Sequence, residues 1–153
     1  MNIQDIDFEQ FFDPADEGYS WRSPRIGYEE LICLDGSEVV ISERDAFGNS
    51  ERDSAYQGDT YCLIKHPEKG WGYICFGWGS CPGCDALEGT RTAADLKDLA
   101  ISLHDSVQWF STREEFEEWF KAKDWKGTHC YYGSYSGFPT FAAHFGVIIP
   151  KND

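Results

Sequence analysis

The 153-residue chain carries 27 acidic side chains against 13 basic ones, a formal net charge of −14. The electrostatic field of this charge repels nucleic acid and anionic membranes and attracts basic partners. Its 41% hydrophobic content, with 16% aromatic residues, excludes a disordered chain and predicts a single domain over residues 1–153. Residues 1–20 lack the pattern of a signal peptide, and no apolar run approaches the roughly 18 residues of a membrane helix, so the sequence predicts a soluble, cytoplasmic protein.

The N-terminal part predicts a short helix or turn and then a hairpin. Aromatic and aliphatic residues alternate with acids over residues 5–12, and Pro14 ends this pattern. Residues 28–43, YEELICLDGSEVVISE, contain two β-branched runs joined by Asp35 and Gly36, which predicts a β-hairpin. Residues 44–58 are polar and contain glycine, so they predict a long loop.

A second hairpin is predicted from strands near residues 59–66 and 71–78, with the turn at residues 67–70. A four-residue turn would place Cys62 opposite Cys75 in the pairing. Both faces of this hairpin are apolar, which is typical of central strands rather than edge strands.

Two helices follow. Thr92 and Asp95 form a helix cap, and leucines then recur at helical spacing up to Val107 and Phe110. Ser111 begins a second Ser-x-x-Glu capping box, whose acids predict a solvated helix face. The apolar run ending at residue 149 predicts a last strand. The sequence therefore predicts an α+β fold in which an antiparallel sheet of about five strands buries one face against two helices.

The cysteines allow three interpretations: a metal site, buried free thiols or a redox dithiol. Cys81 and Cys84 have the two-residue spacing with which two thiolates bind one tetrahedral metal. Cys62 and Cys75 would complete a zinc site if they lay together, and His129 with Cys130 is the other candidate second pair. Without a second Cys-x-x-Cys, buried free thiols are the alternative. A redox dithiol is a further alternative. Redox-active Cys-x-x-Cys pairs typically lie at the start of a helix, whereas Cys81 and Cys84 follow a predicted hairpin. A cytoplasmic location would favour reduced cysteines.

Catalytic patterns are weak along the chain. The four histidines show no HExxH spacing, and Tyr135 occupies the central position in GSYSG where a nucleophile elbow needs serine. No nucleotide-binding glycine motif is complete. The sequence therefore favours a protein that is not an enzyme, although a catalytic pair among 27 carboxylates stays open.

The N-terminal acids predict a partner-binding surface. Residues 1–59 hold 15 Asp and Glu and only four Arg, which suits contact with a basic host protein such as a nuclease, without direct binding to nucleic acid or membrane. Solubility alone is the alternative. The candidate contact residues are Asp5, Asp7, Glu9, Asp13, Asp16, Glu17, Glu29, Glu30, Asp45, Glu51 and Asp53.

The segment Gly79-Ser-Cys-Pro-Gly-Cys-Asp85 with the next three residues resembles a GSCxxCD stretch of small uncharacterised proteins from bacteriophages and their hosts, which have no assigned activity. In size, acidity and lack of enzyme motifs, the chain is similar in kind to phage-encoded inhibitors of host defence, including anti-CRISPR and DNA-mimic anti-restriction proteins. That similarity implies a stoichiometric inhibitor that occupies the basic groove of a host nuclease. The alternatives are a metal- or thiol-dependent protein centred on the Cys81–Cys84 turn and an assembly component that forms a homodimer.

Overall fold

The computed structural model describes residues 2–19, 21–44, 57–79, 85–125 and 137–149. These form one four-stranded antiparallel sheet in the order β1-β2-β3-β4. The strands are β1 (Glu38–Arg44), β2 (Gln57–His66), β3 (Gly70–Gly79) and β4 (Gln108–Phe110). The helices are α1 (Tyr28–Ile32), α2 (Ala93–Ser106), α3 (Arg113–Ala122) and α4 (Gly137–Ala143). Short 3-10 helices lie at Ile3–Asp5, Phe8–Phe11, Pro14–Asp16 and Cys33–Asp35. In the described part of the chain, no helix has the length and apolar character needed to cross a bilayer.

The sheet has a hydrophobic core on each face. The first core joins the even-numbered residues of β2, such as Ile64, to the N-terminal segment, α1 and α2. The second core joins odd-numbered residues, such as Tyr61 and Leu63, to aromatic side chains of α3 and α4. Because alternate residues of a strand point to opposite faces, the apolar residues of β2 supply both cores. The prediction that this hairpin is central in the sheet is confirmed.

The register of the β2–β3 hairpin differs by one residue from the predicted one. His66 pairs with Gly70, so the turn has three residues instead of four, and Cys62 pairs with Ile74. Gly70 has a φ of +91°, the left-handed conformation that closes three-residue hairpin turns. A shift of one residue moves side chains to the other face. Cys62 therefore lies in the first core, whereas Cys75 packs against the second.

The predicted hairpin over residues 28–43 is wrong in its first half, which forms α1. The Glu30 side chain accepts a hydrogen bond from the Gly27 backbone N–H at 3.3 Å, and Leu31 and Ile32 are fully buried. Gly36 has a φ of +94° at the end of the 3-10 helix that follows α1. Left-handed glycine commonly ends helices as well as forming hairpin turns, so the Asp35-Gly36 pair permitted both interpretations.

The two predicted helices pack on opposite faces of the sheet and not on one. α2 packs in the first core and α3 in the second because the short edge strand β4 lies between them in the chain. Trp109 packs against the first core and Phe110 against the second. α3 begins one residue later than predicted, since the Thr112 hydroxyl accepts the cap hydrogen bond from Glu115 N at 3.1 Å.

In the described ranges the sheet has four strands, not about five, because residues 147–149 do not form the predicted last strand. The C-terminal segment instead contributes α4, whose Phe138 and Phe141 are buried in the second core. Two further α-helices, α1 and α4, therefore add to the two that were predicted. The loop predicted over residues 44–58 lies mainly outside the described residues.

The predicted cap of α2 is confirmed, and its removal should be measurable. The Thr92 hydroxyl accepts a hydrogen bond from Asp95 N at 3.1 Å. Thr92→Ala leaves that N–H without its partner, so we expect the free energy of unfolding to fall by about 1 kcal/mol. Urea denaturation followed by circular dichroism measures it. Ser102→Ala, an exposed change inside the same helix, is the control and should not destabilise the protein. Equal midpoints for the two variants would contradict the role of the cap.

Candidate functional site

Among the residues that the structure describes, most of the negative charge lies on one side of the sheet. We define the acidic layer as residues 2–37 and 85–106, which pack on the face of the first core. The acidic layer holds fourteen Asp and Glu against four Arg and Lys. The opposite layer, residues 111–125 and 137–149, is about half as long and holds five Asp and Glu against three Arg and Lys, so its net charge is −2 against −10 for the acidic layer. The charge is therefore asymmetric across the sheet as well as along the sequence.

Side-chain caps fold the N-terminal part of the acidic layer. At the start of each of the first three 3-10 helices, a side-chain oxygen accepts a hydrogen bond of 2.9–3.0 Å from the backbone N–H two residues later. The capping residues are Asn2, Asp7 and Asp13. Ile3 and Phe8 from these helices enter the first core. The Lys97 ammonium on α2 also donates to the Gln4 carbonyl at 3.2 Å, so the N-terminal segment lies against α2.

α2 adds acids that the sequence analysis did not assign to the surface. Asp95, Asp98 and Asp105 are exposed, and their spacings of three and seven residues place them on one side of the helix. At about 1.5 Å of rise per residue, α2 is about 21 Å long. Because the N-terminal helices contact α2, both sets of acids belong to one continuous layer.

The predicted contact residues divide by exposure. Six are exposed: Asp5, Asp7, Glu9, Glu17, Glu29 and Glu30. Asp13 and Asp16 are half-buried. Asp45, Glu51 and Asp53 lie outside the described residues. Two of the acids are neutralised by guanidinium groups, since Arg22 pairs with Glu9 and Arg25 pairs with Asp13.

A buried carboxylate lies beneath the acidic layer, between two histidines. Asp35 is 5% exposed, and its Oδ1 accepts a hydrogen bond from Ser37 N at 2.9 Å. Its Oδ2 lies 3.3 Å from His104 Nδ1 and 3.8 Å from His66 Nε2. The Lys69 ammonium also lies 3.8 Å from Oδ2. The carboxylate is therefore surrounded by nitrogen atoms that favour its charged form.

Hydrogen bonds fix the two imidazole rings. His104 Nε2 donates to the Leu31 carbonyl at 2.9 Å, and His66 Nε2 donates to the Asp35 carbonyl at 3.1 Å. Burial disfavours the charged form of Asp35, but hydrogen bonding from Ser37 and the nearby histidines outweigh it and lower the pKa of Asp35. Because backbone carbonyls accept hydrogen bonds from ring nitrogens of both histidines, the arrangement suits a structural role.

The cysteines do not form the predicted pair. Cys62 is a buried free thiol that donates to the Ser42 hydroxyl at 3.6 Å, and burial raises its pKa to about 12. Cys33 is a second free thiol, and burial raises its pKa also. Both thiols are thus held in the protonated, unreactive form.

Cys75 is disulfide-bonded, so the prediction of reduced cysteines is wrong for this residue. Disulfides are more common in oxidising compartments, and the cytoplasmic location therefore stays a prediction. Cys81 and Cys84 lie outside the described residues. Within the described ranges, no group of three or more His, Cys, Asp or Glu side chains is arranged to hold a metal, so zinc binding is likewise still a prediction.

A cleft of about 530 Å³ opens at one end of the acidic layer, between α1, the sheet and the turn that begins at Asp85. We call it the carboxylate cleft. Its lining residues are Gly27, Tyr28, Glu29, Glu30, Ser42, Arg44, Thr60, Phe76, Trp78, Gly79, Asp85, Leu87 and Glu88. Tyr28 donates a hydrogen bond to Asp85 and accepts one from Leu87 N at 3.0 Å, which joins α1 to the turn. Sequence reasoning missed this cleft because its walls come from distant parts of the chain.

Comparisons with known proteins give no relative for this chain: no protein-family model matches it, and neither a curated protein nor a solved structure is significantly similar to it. The function is therefore argued from charge and geometry.

Proposed function

We propose that this chain is a non-enzymatic binding protein whose acidic layer occupies the basic groove of a host nucleic-acid-binding protein, in the manner of phage-encoded DNA mimics. The observation that carries this proposal is the separation of charge across the sheet, with fourteen acids against four bases in the acidic layer. Solubility alone requires net charge but does not require its concentration on one face.

The dimensions of the acidic layer support mimicry of a duplex. DNA carries one negative charge per roughly 1.7 Å of its axis, so a segment as long as α2, about 21 Å, carries about twelve. Apart from Asp35 and Asp85, which are buried, the acidic layer holds twelve acids, ten of them exposed and two half-buried. Exposed acids occur both on α2 and on the N-terminal segment beside it, so the charge extends over a surface and does not follow a single line.

Charge reversal on the acidic layer should slow association with a basic partner. We choose Asp5→Lys, Glu17→Lys and Asp98→Lys in one variant, because all three side chains are exposed. With the purified partner, captured from host lysate and identified, we expect the association rate constant to fall at least about tenfold in low-salt buffer. The effect should shrink at high salt because screening shortens the range of exposed charges. Stopped-flow mixing measures it, and duplex DNA should compete for the partner.

A matched control separates surface position from total charge. Glu114→Lys, Glu118→Lys and Asp124→Lys change the net charge by the same amount on exposed residues of the opposite layer. This variant should retain most of the wild-type rate. Equal slowing by both variants would contradict the proposal and support a diffuse effect of net charge. Self-association of the purified chain in light scattering, with no competition by DNA, would support the homodimer instead.

A further inference from the structure

The carboxylate cleft combines acidic side chains with aromatic rings. Glu29, Glu30 and Glu88 are exposed along its walls, and among the described residues that line it Arg44 is the only basic one. Aromatic faces attract cations through their quadrupole, and nearby carboxylates strengthen that attraction. The chemistry of the cleft therefore suits a cationic group with a flat apolar surface.

The chain itself places such a group in the cleft. The guanidinium carbon of Arg44 lies 3.5 Å from the centre of the Trp78 ring, and guanidinium groups stack on aromatic faces in this way. Trp78 is 9% exposed, and its indole N–H has no hydrogen-bond acceptor among the described residues. The Trp78 ring thus accepts a guanidinium on its face. Because a guanidinium only donates hydrogen bonds, the free indole N–H suits a carbonyl oxygen of the peptide that carries the arginine.

The elements around the cleft hold it open. Asp85 accepts hydrogen bonds from Gly79 N at 2.9 Å and from Leu87 N at 2.9 Å, which fixes the turn against the end of β3. The rings of Tyr28 and Phe76 pack with their centres 4.7 Å apart. These contacts use Asp85 and Tyr28 internally.

Glu29 and Glu30 each use one carboxylate oxygen, since Glu29 accepts from the Ser42 hydroxyl at 2.7 Å and Glu30 accepts from Gly27 N–H. Glu88 and the second oxygens of Glu29 and Glu30 are left to receive a ligand.

We propose that the carboxylate cleft binds an arginine side chain of the basic partner, and that Arg44 occupies the place of this side chain in the free protein. The inference rests on the proposed function for the source of the arginine. Binding would exchange one stacked guanidinium for another on Trp78, with Glu30 and Glu88 as its counter-charges. No covalent step is involved.

The test uses N-acetyl-arginine amide, which carries the guanidinium without other charges, and follows the protein by NMR. We expect saturable shifts of the Trp78 indole N–H resonance and of amides lining the carboxylate cleft. N-acetyl-lysine amide should bind more weakly because an ammonium does not stack on the ring. Arg44→Ala removes the internal occupant, so we expect the dissociation constant to fall by about threefold, the scale of one exposed cation–π contact.

Two matched controls isolate the cleft. Arg25→Ala removes the same charge from the acidic layer outside the cleft and should leave the dissociation constant nearly unchanged. Glu88→Gln should weaken binding, whereas Glu118→Gln on α3 should not. Shifts that do not saturate, or an equal effect of Arg44→Ala and Arg25→Ala, would overturn the inference. Such a failure is distinguishable from failure of the proposed function, because Asp5, Glu17 and Asp98 do not line the carboxylate cleft.

Discussion

Phe120→Ala should lower the free energy of unfolding by about 4 kcal/mol, within the range of buried Phe-to-Ala changes. Phe120 is fully buried on α3. Its ring centre lies 5.3 Å from that of Phe145, 4.7 Å from that of Trp125 and 5.7 Å from that of Phe141. These rings come from α3, α4 and the segments after them, so truncation would leave a cavity where they meet. A domain of this kind has a total stability of about 5–15 kcal/mol, so the variant should lose a large share of it.

Two further variants show whether the loss comes from the cavity. Phe120→Leu refills most of the volume and should cost clearly less than Phe120→Ala. Trp21→Ala removes a larger ring that is 64% exposed and should change stability by less than about 0.5 kcal/mol. Urea denaturation followed by far-ultraviolet circular dichroism measures all three. A loss below about 1 kcal/mol for Phe120→Ala would mean that the second core is not packed as described.

Local sequence signals predicted the elements whose formation depends on local interactions. α2 was predictable because Thr92 caps it and because Leu96 and Leu103, which are buried, follow at helical spacing. The β2 and β3 strands were predictable from their apolar runs. The exact register was not, because a three-residue and a four-residue turn both fit the sequence before Gly70. This difference of one residue in the length of the turn decides whether Cys62 and Cys75 lie on the same face of the sheet.

Other features depended on contacts between distant segments. Asp35-Gly36 can close a hairpin or end a helix, and the burial of Leu31 and Ile32 against the first core favours the helix. The N-terminal acids were visible in the sequence as a charge imbalance. The acids of α2 could not be added to them before packing showed that the N-terminal segment lies against α2. The carboxylate cleft was also hidden, because Arg44 and Trp78 meet only through strand pairing.

Asp35→Asn should lower the free energy of unfolding by about 2 kcal/mol at neutral pH, because it removes the charge of a buried carboxylate that accepts a hydrogen bond from Ser37 N–H and lies 3.8 Å from the Lys69 ammonium. The Oδ2 atom of Asp35 faces His104 Nδ1 at 3.3 Å, and His104 Nε2 already donates to the Leu31 carbonyl. The amide of asparagine keeps the shape of the side chain but not its charge. Asp105→Asn is the control, because Asp105 lines the same groove and is exposed; it should change stability by less than about 0.5 kcal/mol.

The pH dependence identifies the charge of Asp35 as the cause. The pKa of Asp35 in the folded protein lies below its usual value, so its contribution to stability is present above the unfolded pKa of about 3.9 and is lost as the pH falls through the folded pKa. The difference in unfolding free energy between wild type and Asp35→Asn should therefore shrink below about pH 4. The other acids titrate in both proteins and largely cancel in this difference. A difference that stays constant down to about pH 2 would mean that the carboxylate stabilises the fold only through its shape and hydrogen bonds.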